Sequence, residues 1–437
     1  MNTTDRRDFI KKSTLLGSGL AISPDYFFHS SVNDTIKVAV VGCGSRGTGA
    51  AIQALSSSKN VKIVAMADAF QNRIDDSYKH ITSDDATDNG HVRDKVDVPA
   101  ERRFVGFDAY KKAIALCDVV ILATPPGFRP AHFEEAVNAG KHVFMEKPVA
   151  VDPAGIKIVL AAAEKAKAKK LNVVVGLQRH YQTVYRELMK RHQDGIIGEI
   201  VSASAWWNND GVWVNPRKPG MTEMEYQMRN WYYFNWLCGD HICEQHIHNI
   251  DVINWAKNAY PVKARGTGGR EVRKGKNYGE IFDHHIVEFE YADGTIMNSQ
   301  CRHIPGTWAK VDELAIGTKG SIKFGQGIIS DHKGKVLYQH NSENDPNPYQ
   351  VEHDELFDAV SKGVYRFEDA TNGAHSTMTS ILGRMATYSG QIITVDQALA
   401  SNLNIMPSTL SWDADMPVKP DVNGEYPAAI PGKTKYV

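Results

Sequence analysis

The sequence predicts an α/β protein of two domains, a helix-wound parallel sheet followed by a larger, strand-rich α/β domain. Three observations lead there. The β-branched run Ile36-Lys37-Val38-Ala39-Val40-Val41 passes straight into a glycine-rich turn and a helix-compatible stretch. A second apolar run, residues 61–67, closes on an acid, Asp68. From Glu199 onward, β-rich runs recur between turn signals. At 437 residues the chain is long enough for two such domains.

In chain order, residues 1–33 stand apart. Arg6-Arg7-Asp8-Phe9-Ile10-Lys11-Lys12 precedes a mildly apolar stretch, 13–22, and reads as a twin-arginine export signal with its linker. It predicts a periplasmic protein exported already folded. The first domain is expected over 34–150. Its opening turn, Gly42-Cys43-Gly44-Ser45-Arg46-Gly47, is a G-x-G-x-x-G between strand and helix. Gly42 permits the tight turn, Gly44 lets a pyrophosphate approach, and Gly47 lets helix and strand pack closely. The phosphates belong at the N-terminus of the helix over 48–55, where unpaired N–H groups and the helix dipole favour anions. Asp68, about 20 residues beyond Gly47, has the spacing of a carboxylate for the adenosine ribose hydroxyls. It would repel a 2′-phosphate, so NAD is expected rather than NADP, a preference that the nearby Arg73 softens. A strand over 118–124 runs into Pro125-Pro126, a helix follows over 130–138 and closes at Gly140, and a strand over 142–145 leads into Glu146-Lys147-Pro148. Ligands bind beyond the carboxyl ends of such strands. That rule places Thr124, Pro125, Glu146 and Lys147 at the cofactor edge.

The second domain is expected over 151–405. β-type runs fall at 199–206, 262–272, 282–291, 295–302, 312–317 and 320–324, with Asp293-Gly294 as a hairpin signal. Helices fit 350–361 and 370–388. The tail, 406–437, is rich in Pro, Asp and Lys and reads as an irregular strap. The 50 basic side chains balance 51 acidic ones, which gives no electrostatic reason for a nucleic-acid or membrane-surface partner. No apolar run approaches the roughly 20 residues of a membrane-spanning helix. Five cysteines, Cys43, Cys117, Cys238, Cys243 and Cys301, are odd in number and scattered, so neither a disulfide framework nor a zinc motif is read from them.

On these residues the sequence resembles the Gfo/Idh/MocA family, that of glucose–fructose oxidoreductase and the inositol dehydrogenases. The glycine turn, Ala123-Thr124-Pro125-Pro126, Glu146-Lys147-Pro148, Val175-Gly176-Leu177-Gln178-Arg179-His180-Tyr181 and a helix beginning near Gly239 carry the likeness, over about 36–400. The resemblance implies a Rossmann domain, then an α/β domain whose large open, mainly antiparallel sheet floors the substrate site. It implies a carbohydrate or polyol substrate, a homo-oligomer (dimer or tetramer), and a Lys147 that contacts the substrate hydroxyl or the nicotinamide ribose.

The stretch Gly239-Asp240-His241-Ile242-Cys243-Glu244-Gln245-His246-Ile247-His248-Asn249-Ile250-Asp251 is the richest in chemistry. On one continuous helix Glu244, His248 and Asp251 would share a face, joined by His241. Family members often carry D-x-G-x-H-x-x-D here. Glu244 stands for the first acid and His246 for the glycine, while His248 and Asp251 match. His248 is expected to be the base that takes the hydroxyl proton as hydride leaves. Glu244 would orient or polarise it, Lys147 would stabilise the developing alkoxide, and Asp251 would be structural. His241, Glu244 and His248, with His246 and Cys243 close by, are also ligand-type side chains, but the spacing is not His-Glu-x-x-His and no metal is expected. Between Trp206 and Trp236 the chain is crowded with aromatics, which pack well on the C–H faces of sugars. Trp207, Asn208, Trp236, His246, Arg179, His180 and Tyr181 are therefore expected at the substrate. Two other readings stay open: a glycosidase working by transient oxidation and elimination, and a catalytically silent sugar-binding protein.

Overall fold

The computed structural model describes residues 35–83 and 92–436, so the export signal expected over 1–33 lies outside the described residues. Strands β1 (Ile36–Val41), β2 (Val61–Asp68), β3 (Arg103–Val105), β4 (Val119–Leu122), β5 (His142–Met145) and β6 (Val173–Val175) form one parallel sheet in the order β3-β2-β1-β4-β5-β6. Except for the edge strand β3, these strands are largely buried, as a sheet covered on both faces requires. The cover comes from α1 (Ser45–Ser56), α2 (Gln71–Ile81), α3 (Ala109–Ala115), α4 (Arg129–Asn138) and α5 (Pro153–Ala168). Strand order reverses between β1 and β4, which opens a crevice beyond their carboxyl ends. The sheet does not stop at residue 150. Val173 pairs with Val143, so the first domain runs to about Gly176.

After α6 (Thr183–Gln193) the chain enters the second sheet at β7 (Ile200–Asn209). It then makes a run of helices, α7 (Glu223–Arg229), α8 (Asn235–Cys238), α9 (His241–Glu244) and α10 (Ile247–Lys257). Next come β8 (Lys263–Gly269), β9 (His284–Glu290), β10 (Ile296–His303), β11 (Lys310–Gly317), β12 (Gly320–Lys323), β13 (Ile328–Asp331) and β14 (Val336–Gln339). Helices α11 (Pro348–Ser361) and α12 (Asp369–Ser389), strand β15 (Ile393–Thr394) and helix α13 (Val395–Ala400) complete the regular structure. The nine strands pair in the order β14-β13-β12-β11-β7-β10-β9-β8-β15. Every pairing is antiparallel except β7 with β10, which is parallel, so the sheet is mainly antiparallel, as the resemblance implied. The Asp293-Gly294 turn joins β9 to β10, with Gly294 at φ 83°. In β10, Met297, Ser299, Cys301 and His303 are buried while their neighbours are not, the period of two of a sheet covered on one face. In this sheet three short strands, β13, β14 and β15, were not anticipated, nor was β3 in the first. β14 is a largely exposed edge, which gives no alternation to read.

From residue 401 to 436 the chain forms no helix or strand, the irregular strap expected. It is nonetheless packed. Two cores fill the domains, and a third gathers Phe128 of the first domain, Met224, Tyr226, Phe234 and Trp236 of the second, and Met416 and Tyr426 of the strap. Beside it the two domains meet backbone to backbone, since a Cβ built at Gly127 would lie 2.0 Å from the Trp236 carbonyl oxygen. All five cysteines are buried and free. Among the described residues no helix is long and apolar enough to cross a membrane.

Candidate active site

The crevice beyond β1 and β4 is a cleft of about 630 Å³ between the domains. One wall is the glycine turn. Gly42 sits at φ 94°, and a Cβ there would strike Thr124 N at 2.4 Å, while one at Gly47 would strike Gly42 O at 1.8 Å. At Gly44 an added Cβ would meet nothing within 4 Å. The emptiness beside Gly44 is thus space facing the cleft. Gly44 caps α1 without a side-chain bond, so the first N–H groups of the helix point into that space. Asp68 stands at the end of β2, its oxygens accepting from Cys43 N (2.7 Å) and Phe70 N (2.9 Å). Burial pushes its carboxyl up, against the lowering effect of those amides. Each oxygen keeps a lone pair for a hydroxyl donor. An open cradle at a helix N-terminus with a carboxylate at the next strand end fits a dinucleotide.

Ser45, Arg46, Thr124, Pro125, Glu146 and Lys147 all line the cleft, as the sequence leads one to expect. Arg46 does so with its side chain committed elsewhere. Its guanidinium pairs closely with Glu146 and reaches Glu352 on α11, so the pyrophosphate is left to the backbone. Gly176 makes room for Glu146, whose carboxylate lies 2.8 Å from a Cβ built there.

At the other end Lys147 Nζ donates to Glu244 Oε1 at 2.8 Å and to the Glu244 carbonyl. His248 lines the same space, its ring facing that of Trp207 at 6.1 Å. His248 Nδ1 has no hydrogen-bond partner among the described residues. Burial first, then Lys147 and Arg179, hold the imidazole well below its usual pKa, so it is neutral. Gln245, which sequence reasoning missed, is fixed beside them. Arg273 donates to His303 Nδ1, so His303 Nε2 carries the proton that goes to Gln245 Oε1 (2.7 Å), leaving the Gln245 amide N–H groups for the cleft. Tyr349, Trp213, Trp231 and Arg229 complete the wall. No spacing in the sequence links Gln245 or Tyr349 to the site.

Several expected residues are placed elsewhere. The helix expected through Glu244, His248 and Asp251 is broken: α9 ends at Glu244 and α10 begins at Ile247. Glu244 and His248 still reach the cleft, but His241 bonds Asp240, and His246 is buried with Nε2 on Ser299 Oγ at 2.8 Å. The four ligand-type side chains therefore do not converge. Among the described residues the set with metal-ligand geometry is Asp240, His241 and His285, away from the cleft lining. Asp251 is buried and takes His180 Nε2 at 2.7 Å and Ser376 Oγ at 2.7 Å. Arg179 is paired with Glu313, and Tyr181 donates to Asp369 at 2.8 Å. These three, with the half-buried His180, form a polar layer behind the site rather than its lining. Asn208 is buried, and Trp236 is 1% exposed with Nε1 on Gln227 Oε1 (2.7 Å). Of the residues expected at the substrate, Trp207 alone lines the cleft.

Comparison with known proteins places this geometry. Residues 36–176 match the model of the GFO_IDH_MocA family, an oxidoreductase family with an NAD-binding Rossmann fold. The inositol 2-dehydrogenase of Serratia proteamaculans (strain 568) is 27% identical over 384 residues, covering 83% of this chain and 96% of its own. Among solved structures, scyllo-inositol dehydrogenase from Lactobacillus casei with bound NAD(H) and scyllo-inositol superposes with a TM-score of 0.61 at 19% identity, over 83% of this chain and 100% of that one. Aldose-aldose oxidoreductase from Caulobacter crescentus, complexed with glycerol, gives 0.63 at 16% identity over the same shares, 83% and 100%.

Proposed function

We propose that this chain, whose residues 36–176 match the model of the NAD-binding Rossmann domain of the Gfo/Idh/MocA family, is an oxidoreductase of that family and oxidises and reduces a secondary hydroxyl of a sugar, glycoside or polyol. The observation that carries the proposal is the meeting of Lys147, Glu244 and His248 at one end of a cleft whose other end is the Gly44 cradle and Asp68. NAD(H), when bound, supplies the hydride acceptor or donor. The protein supplies the rest. His248, kept neutral, accepts the hydroxyl proton. The Lys147 ammonium, steered by Glu244, stabilises negative charge as it develops on the substrate oxygen. Gln245 donates to a second hydroxyl, and Trp207 offers an apolar face to the ring. The relatives named for inositols and aldoses support this substrate class.

The same reading extends to cofactor handling and place. An enzyme exported folded meets no soluble NAD pool, so the cofactor would travel bound and be recycled between a donor and an acceptor sugar, with keto sugar as product. Periplasmic export rests on Arg6-Arg7 alone. Association of copies through the open sheet face belongs to the same proposal. The test is absorbance at 340 nm and product mass after mixing the NAD-loaded protein with a panel of polyols and glycosides. A product two mass units lighter is expected. Glycoside cleavage without net oxidation would establish the elimination reaction instead, and a protein that binds no NAD would overturn the reading.

A further inference from the structure

We propose that the C-terminal strap is the retaining clasp of the dinucleotide, with Trp412 as its positioning residue; the inference rests on the NAD reading above. The cleft does not end at Asp68. It continues past Arg73, Asn215 and Arg229, which it shares with a second cavity of about 570 Å³. That cavity is walled on one side by Asn72 and Arg73 of the first domain and on the other by Asn215, Lys218 and Arg229 of the second. A dinucleotide whose pyrophosphate sits at Gly44 and whose ribose meets Asp68 must send its adenosine in this direction. The adenosine end is therefore flanked by both domains, and parting them here would ease its release.

The strap ties that seam. Phe70, two residues beyond Asp68 and part of the cleft wall, is held on one side by the Arg229 guanidinium, 4.2 Å from its ring centre. On the other side stands Trp412, 5.0 Å from Phe70 and 4.9 Å from Phe107. Upstream, Ile405 N donates to Asp152 Oδ2 (2.9 Å) at the cap of α5. Downstream, the Val418 carbonyl accepts from Gln227 Nε2 (2.9 Å) on α7, and Tyr426 is buried against Tyr226 and Phe234. The strap is thus anchored first on one side of the seam and then on the other. Between the anchors, Trp412 grips the loop that carries the adenosine contacts. Aromatic contacts of this kind favour the closed seam and slow its opening.

The experiment measures NADH dissociation from the loaded enzyme, by stopped-flow fluorescence during a chase with excess NAD, for wild type, Trp412→Ala and Trp412→Phe. Trp412 is partly exposed, and neither substitution touches the catalytic groups. Trp412→Ala is expected to raise the dissociation rate by about tenfold or more, Trp412→Phe to restore slow release, and the two to share the wild-type melting temperature. An unchanged rate in a folded Trp412→Ala overturns the clasp and leaves the enzyme reading intact. A wild-type protein that binds no NADH overturns both.

Discussion

His248 shows what a protein interior does to a side chain of ordinary reactivity. A free imidazole loses its proton near pH 6.5. Here burial, then the charges of Lys147 and Arg179, oppose the protonated form. A depressed pKa keeps the base form as pH falls, so the acid limb of kcat/KM for hydroxyl oxidation is expected below the usual histidine range. A limb at or above about 6.5 would assign the proton transfer to another group. His248→Ala should lower kcat by roughly 10²–10⁴-fold while leaving NADH affinity unchanged, and wild-type turnover in that variant would remove His248 from the mechanism. The proton it takes need not remain there. Among the described residues His248 Nδ1 has no partner to fix a tautomer, which leaves the substrate to choose it.

At the scale of elements, β1, α1 and β2 were legible because one local pattern specifies them. The strand is apolar but for Lys37, the turn cannot be built without glycine, and the acid ends the next strand. That pattern makes a sharp prediction. Gly44→Ala meets no atom within 4 Å, so its melting temperature should hold or rise slightly, while NADH affinity falls about tenfold or more because the methyl fills the cradle. Gly47→Ala drives a Cβ to 1.8 Å from Gly42 O and should destabilise the fold itself. Calorimetry beside NADH titration separates the two, and Gly44→Ala with full affinity would place the pyrophosphate elsewhere. The break between α9 and α10 was not legible. The chain leaves the helix at Gln245 (φ −108°) and His246, whose side chains are held by His303 and Ser299, far away in sequence. Helical periodicity knows nothing of those partners, so it put His241 and Asp251 on the face of Glu244 and His248. Arg179, Tyr181 and Trp236 misled for a related reason. Their polar groups look available in a sequence, but Glu313, Asp369 and Gln227 already satisfy them.

For the whole molecule, the third core turns two domains and a tail into one unit. Met416 and Tyr426 of the strap share that core with Phe128 of the first domain, so distant stretches of the chain are packed together. The export proposed above would carry this core and its five buried free thiols already assembled. Replacing Arg6 and Arg7 by lysine is expected to leave the protein in the cytoplasm, and undiminished periplasmic protein in cell fractions would show that another route is used. The cleft itself is set by a contact narrower than any side chain. Gly127 rests on the Trp236 carbonyl where even a methyl group has no room. That point is the fulcrum of two jaws, and its thickness is the gauge of the gap between them. An alanine at 127 would be a shim. It would pull Lys147 from Glu244 across the jaws and lengthen the distance between the hydride on one and the substrate on the other.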